Sequence, residues 1–163
     1  MSVNKDRPHV MVIPEDDANH RIATEFQKQV DWACFRQMQV LPVAGGWVRV
    51  LDIFASVHAV EMDRYPKRFM VLLIDFDQKE DRLNRARAAV PAHLADRVFV
   101  LGAWTNPEEL KPALGDYEAI GSAMANDCRE DSETIWAHDL LKHNGCELDR
   151  LRGLVRPILF PSA

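Results

Sequence analysis

The chain has no apolar run long enough to cross a membrane: Val10–Ile13, Phe69–Ile74 and Val98–Leu101 all fall far short of the roughly 18 residues a helical span needs. Its first residues, Met-Ser-Val-Asn-Lys-Asp-Arg-Pro, lack the apolar stretch of an export signal, so a cytoplasmic location without a membrane partner is expected. Cysteine is scarce. Cys34, Cys128 and Cys146 are odd in number and show no C-x-x-C spacing, which excludes a disulfide framework and a zinc ribbon and leaves reduced core or surface thiols. No Walker-type glycine loop, G-x-S-x-G elbow or dinucleotide fingerprint is present, which removes the usual nucleotide-hydrolase, serine-hydrolase and dinucleotide readings. The six histidines make no H-x-x-x-H pair, and His138 and His143, five apart, do not share a helical face. Positive charge is not in excess either. A net charge of −5 gives no bulk attraction for nucleic acid, so such binding would need a local basic patch or a basic partner.

What remains is ordinary globular material: 163 residues, 47% apolar and 28% charged, enough for one domain with its own core. Val10–Ile13 reads as a strand ending in Pro14-Glu15-Asp16-Asp17, and Ile22, Phe26, Val30 and Ala33 follow at near-helical spacing, with Asp16 or Asp17 as the cap. Met38–Val43 reads as a second strand closed by Ala44-Gly45-Gly46, followed by a helix with Trp47, Val50, Leu51, Phe54 and Val57 on one face. The polar stretch from Glu61 to Arg68, with Pro66, reads as a loop into the third strand, Phe69–Ile74. A charged helix from Lys79 toward Val90 follows, with Leu83, Ala86 and Val90 inward and Arg82, Arg85 and Arg87 making an exposed basic side, a solvated face that could alternatively meet phosphates beside a metal. Val98–Leu101 is the fourth strand, after which Thr105 or Asn106 can cap a helix with Pro107 in its first turn. From Tyr117 onward the chain reads as helical, with Trp136, Leu140, Leu141, Leu148, Leu151 and Val155 apolar, an interruption at Gly145 and an end before Pro157.

Strands alternating with helices predict an α/β fold, a three-layer arrangement with a mainly parallel sheet of about four strands, because parallel strands need crossover connections. The expected organisation is a single domain over 1–163, with a core at about 9–115 and a helical C-terminal part at 116–163. In such sheets sites form at the carboxyl ends of the strands. Glu15, Gly45-Gly46, Asp75 and Asp77 each follow a predicted strand, as do Glu108 and Glu109 after a longer loop. Carboxylates crowded at one edge repel one another, so their coincidence asks for a cation. A hard divalent ion with oxygen ligands, Mg²⁺ or Mn²⁺, is the natural candidate. Asp75 and Asp77, one residue apart, can leave a bending strand end toward one ion while Phe76 points elsewhere. The competing role for Asp16, Asp17, Glu108 and Glu109 is helix capping or loop solvation.

The order strand–Glu15–helix, strand–Gly45-Gly46–helix, strand–Asp75-Phe76-Asp77–helix, strand resembles the Toprim domain of topoisomerases, primases and overcoming-lysogenization-defect (OLD) nucleases, over about 9–115. The resemblance implies that Glu15, Asp75 and Asp77 gather Mg²⁺ for phosphoryl transfer, with Glu15 also acting in the chemistry. It further implies that Glu108 or Glu109 matches a later acidic position of OLD-type members, and that Lys142 supplies their late basic residue. Nucleic acid as substrate and an ATPase partner protein follow from the same resemblance. The family has glycine directly after its glutamate where Asp16 stands here; Asp16 or Asp17 would instead add a metal ligand.

Val12-Ile13-Pro14-Glu15-Asp16-Asp17 followed by Arg21 also resembles the opening of a response-regulator receiver domain, with Asp75 as phosphoacceptor. Against it stand the Gly45-Gly46-Trp47 insertion, the aspartate pair, the absence of Lys-Pro after a fifth strand, and Leu101-Gly102-Ala103 where a hydroxyl residue is expected. The alternative function is therefore a non-catalytic metal-binding signalling or interaction module, receiver-like or a degenerate Toprim. Trp32, Trp47 and Trp136 lie on apolar helical faces and are expected in the core, whereas Trp104 follows the fourth strand and can line a pocket. His20 lies one turn beyond the acidic loop.

Overall fold

A computed structural model describes residues 2–163; Met1, the first residue of the expected domain, lies outside the described residues. Four strands form one parallel sheet: β1 (His9–Pro14), β2 (Met38–Val40), β3 (Arg68–Leu73) and β4 (Val98–Leu101), in the order β2-β1-β3-β4. The register pairs Val12 with Val40, Pro14 with Leu73, and Leu73 with Leu101, so the carboxyl ends of all four strands finish at one edge. The strands are mainly apolar because both faces are covered, with His9, Gln39 and Arg68 as the polar positions. Alternate side chains divide between two cores. Val10, Val12, Val71, Phe99 and Leu101 face one, and Met11, Ile13, Met70, Leu72, Val98 and Val100 face the other.

On the first face lie α1 (Asp17–Lys28), α6 (Tyr117–Glu130), α7 (Gly145–Leu154) and α8 (Arg156–Leu159), contributing Ile22, Ile120, Leu148, Leu151 and Leu159. The helical C-terminal part thus shares one layer of the molecule with α1, α6 packing along α1 and α7 against β4. Gly121 sets the α1–α6 approach: a Cβ there would lie 2.3 Å from the Ile22 carbonyl oxygen. The second face carries α2 (Trp47–Ile53), α3 (Ala59–Arg64) and α4 (Glu80–Ala88). The short α5 (Lys111–Leu114) leads into α6. Among the described residues no helix is long and apolar enough to cross a membrane.

Several local expectations change for identifiable reasons. The second strand stops at Val40, and 41–46 form the turn that returns the chain over the site edge. Between α2 and α3 a π-helical turn, Phe54–His58, adds a residue to the helical repeat and rotates the inward face. Val57 is therefore exposed while His58 and Met62 are buried. The helix continues to Arg64, so Glu61–Arg64 is not loop. Arg68 opens β3 and is fully buried, its Nε donating to His9 Nε2 at 3.0 Å and its Nη1 to Glu61 at 2.5 Å. The 131–144 stretch is mostly turns, and Gly145 begins a helix instead of interrupting one. Pro157 sits in the first turn of α8, where its missing N–H has no intrahelical partner to lose. Trp136 is buried as expected, but Trp32 is 92% exposed and Trp47 half-buried.

Candidate functional site

The carboxyl edge of the sheet is assembled from the ends of β1 and β3, the adjacent central strands on either side of which the strand order reverses. In folds with this strand order the connections on either side of the switch point leave to opposite faces, which is where such sheets place their sites. Glu15 follows β1 directly, and its backbone N–H still donates to the Leu73 carbonyl at 3.0 Å. Its own carbonyl accepts from Gly45 and Gly46 at 2.9 and 3.2 Å, which holds the glycine turn beside it. Those two amides are consequently committed to protein. The Glu15 side chain crosses to β3, where Oε2 accepts from the Asp75 backbone N–H at 2.7 Å.

Asp75 is 8% exposed. Its Oδ1 accepts from Asn19 Nδ2 at 2.9 Å, and the same Asn19 amide donates to Asp16 Oδ1 at 3.1 Å. Asp16 caps α1 by accepting from the Asn19 backbone N–H at 2.9 Å. Asn19 therefore bridges Asp16 and Asp75, and Glu15 is held beside them by the Asp75 amide. Burial pushes the Asp75 carboxyl up to about 7; the Asn19 hydrogen bond opposes this, and the nearby Asp16 and Glu15 charges add to it. Burial also raises Glu15, against the bond from the Asp75 amide.

Asp77 is placed differently. After Phe76, which is buried in the second core, Asp77 and Gln78 both adopt left-handed backbone with φ of 51° and 57°. Their N–H groups donate to the Thr105 and Trp104 carbonyls at 3.1 and 2.7 Å, pinning this turn. The turn ends the extended alternation that would have aimed Asp75 and Asp77 at one point, and leaves the Asp77 side chain 63% exposed. It pairs instead with Lys79 at 3.5 Å and Arg82 at 3.7 Å.

Arg82 is the cation nearest the acids that the structure brings in. It was expected on a solvated basic face, yet its side chain is largely buried, lies 5.0 Å over the Trp47 ring and donates from Nη1 to the Asp75 carbonyl at 2.7 Å. Its Nε has no partner among the described residues. Arg85 lies over the same ring at 4.7 Å, so Trp47 packs beneath guanidinium groups.

The other predicted positions lie apart from this group. Asp17 is exposed in the first turn of α1. Glu108 accepts from the Tyr117 hydroxyl at 2.5 Å and pairs with Lys111 at 3.2 Å; that hydroxyl bond and then Lys111 hold its carboxyl below the usual range. Glu109 is exposed, with its backbone N–H capped by Asn106. Lys142 is exposed and paired with Asp139 at 2.7 Å. Its neighbour His143 packs edge-on against Phe76, with ring centroids 5.4 Å apart, and against Trp104 at 5.3 Å. Trp104 thus closes the β4 side of the edge as a packed ring. His20 is half-buried and makes no side-chain hydrogen bond among the described residues.

Arg82 belongs to the helix face that the sequence offered either as solvated or as a phosphate contact beside the metal, whereas the sequence reading gave Asn19 no role of its own. Asn19 carried a usable signal: it lies three and four residues before the inward-facing Ile22 and Ala23, so it falls on the buried stripe of α1. A buried amide there needs partners, and the acids supply them. Gly102 secures the opposite wall. A Cβ at that residue would lie 1.7 Å from the Ile74 carbonyl oxygen, one residue before Asp75. Asn144 clamps it from the C-terminal layer, accepting from the Gly102 N–H at 3.2 Å and donating to its carbonyl at 3.0 Å.

Among the described residues no three His, Cys, Asp or Glu side chains are arranged to hold one ion. Comparison of the chain with protein-family models, with curated proteins and with solved structures finds no match.

Proposed function

We propose that the chain is a divalent-cation-dependent phosphoryl-transfer domain of Toprim nuclease type, acting on nucleic acid in the cytoplasm together with a partner such as an ATPase subunit. The observation that carries the reading is the buried Asp75 carboxyl, held beside Glu15 and Asp16 with no cationic side chain bonded to it and raised to about 7. A cation there removes a repulsion that the fold otherwise sustains. The donor set is all oxygen, which suits Mg²⁺ or Mn²⁺. Mg²⁺ is commonly held by one or two carboxylates and completed by water and substrate phosphate, so Glu15 and Asp75 suffice without a third acid on the same ion.

When bound, the ion supplies charge neutralisation and Lewis-acid polarisation of a phosphoryl oxygen. Asn19 fixes the orientation of Asp75 and joins it to the Asp16 cap. The Asp75 amide fixes Glu15. Arg82, stacked on Trp47 and anchored to the Asp75 carbonyl, offers positive charge next to the acids for an entering phosphate, in place of the late basic residue that the resemblance put at Lys142. Calorimetric titration with Mg²⁺ and Mn²⁺ tests the reading: the wild type binds, a Glu15→Gln, Asp75→Asn variant does not, and plasmid nicking by the protein with its partner follows the same dependence. Lack of binding by the wild type at millimolar metal would overturn it.

One observation favours the receiver-like alternative. Of the aspartate pair only Asp75 is buried, as a single phosphoacceptor would be, and the order β2-β1-β3-β4 is the one flavodoxin-like folds share. Acetyl phosphate labelling of Asp75, without nicking, would select that switch.

A further inference from the structure

The opposite edge of the sheet carries a second cleft. Because the strands are parallel, the segments entering β1 and β2 meet at the amino edge, and the six residues of β1 place it about 20 Å from Glu15. The cleft has a volume of about 380 Å³ and is walled by Asn4, Arg7, Trp32, Phe35, Arg36 and Gln37. That size lies within the roughly 300–1,000 Å³ of small-molecule sites. Its walls are tied together, since the Asn4 N–H donates to the Arg36 carbonyl at 2.9 Å and the Val3 N–H to Gln39 Oε1 at 3.3 Å.

Three features of the lining are available to a ligand. Trp32 stands 92% exposed on a 3₁₀ turn, Trp32–Gln37, although its ring is the largest apolar surface a side chain offers. Arg7 and Arg36 are exposed and, like the exposed Arg49, Arg64, Arg85 and Arg87, form no ion pair and no side-chain hydrogen bond among the described residues, so both are free to meet an anion. Gln37 is 6% exposed, and its carboxamide likewise makes no hydrogen bond among the described residues. Two guanidiniums beside an exposed indole, with Asp6 and Asp31 as the neighbouring acids, offer two anion-binding donors next to a flat stacking surface.

The complementary ligand is planar, anionic and equipped with hydrogen-bonding edges. A simple anion would leave Trp32 unused, and an apolar partner would leave both arginines unpaired. We propose that this cleft binds a nucleotide unit, with the base stacked on Trp32, the phosphate held by Arg7 and Arg36, and the base edge within reach of Gln37. The unit is either a free nucleotide or one link of a single-stranded nucleic acid. The site is separate from the carboxylate edge and needs no metal.

The test is binding of fluorescein-labelled dT12, by anisotropy, and of dTMP, by calorimetry, both in EDTA so that the carboxylate edge takes no part. Trp32→Ala should fold normally, since its ring is exposed, and should weaken binding about 5- to 150-fold, the usual worth of one base–aromatic stack. Arg7→Gln with Arg36→Gln should flatten the slope of log affinity against log salt by about 1.4, as expected for two lost phosphate contacts on a single strand. Tight binding of dTMP identifies a free-nucleotide site; binding of dT12 alone identifies a strand site. Absence of binding by the wild type overturns the proposal, as does unchanged affinity in Trp32→Ala. Competition by inorganic phosphate as strong as by dTMP overturns it too, because the base would then contribute nothing.

Discussion

Asp75→Asn should stabilise the metal-free protein at pH 8. The folded chain holds Asp75 at about 7 against an ordinary 3.8, because the group is buried and faces Asp16 and Glu15. A carboxyl raised in this way favours the folded state below its unfolded value of 3.8, and that stability is lost as pH rises from about 4 to about 7. The full gap corresponds to about 4 kcal/mol. Glu15 and Asp16 share the repulsion and relax when Asp75 is neutral, so about half, roughly 2 kcal/mol, is the expected gain from the substitution. Asparagine keeps the shape and can still accept from Asn19 Nδ2, while its own amide can donate to a neighbouring carboxylate. For a chain of this size 2 kcal/mol is a rise in Tm of about 4–8 °C. Thermal unfolding of both proteins from pH 4 to pH 8 in EDTA reads this directly: the curves should meet near pH 4 and separate as pH rises. Mg²⁺ should raise the wild-type Tm at pH 8 and leave the variant unmoved. A variant less stable than the wild type at pH 8 would show that Asp75 ionises at no cost in the fold, and the case for a cation would fall with it.

His9 is buried with Nδ1 against the Arg7 carbonyl at 2.8 Å and Nε2 accepting from Arg68, a pattern that requires the neutral ring. Burial, reinforced by the Arg68 charge, lowers its pKa, so its contribution is complete above about 6.5 and is lost as pH falls below that value. A Glu15→Gln, Asp75→Asn background, which removes both raised carboxyls and their opposite trend, should therefore lose stability from pH 7 to pH 5 by urea titration. Arg68→Met should cost about 1–3 kcal/mol in the same assay, because it leaves the buried His9 Nε2 without its donor while the partly exposed Glu61 turns to solvent. Gly102→Ala should yield little folded protein, judged by soluble expression and circular dichroism, since its methyl would overlap the Ile74 carbonyl. Thiol labelling of the native protein should modify Cys146 quickly, whereas Cys34 and Cys128 are buried and react only on unfolding; burial also pushes Cys128 up to about 11.

The sequence by itself determined the fold class and the edge where the acids gather. Four apolar runs separated by helix-length amphipathic segments allow little but a parallel sheet covered on both faces, and Glu15 and Asp75 follow strands that lie side by side. Local chemistry was legible as well: Asp16 and Asn106 cap the helices that follow them, because a cap needs only the next turn of its own chain. Tertiary structure alone decided how the site is composed. The left-handed turn at Asp77 and Gln78 is held by carbonyls of the loop after β4, and it separates two acids that alternation would have joined. The π turn at Phe54–His58 rotates a helix face, so Val57 is exposed and His58 is buried. Arg82 lies against Trp47, a residue distant in sequence, and so joins the acids instead of the solvent. Periodicity reports which side of an element is apolar. The direction of a strand end and the partner of a long charged side chain depend on contacts from other elements, which exist only once the chain has folded.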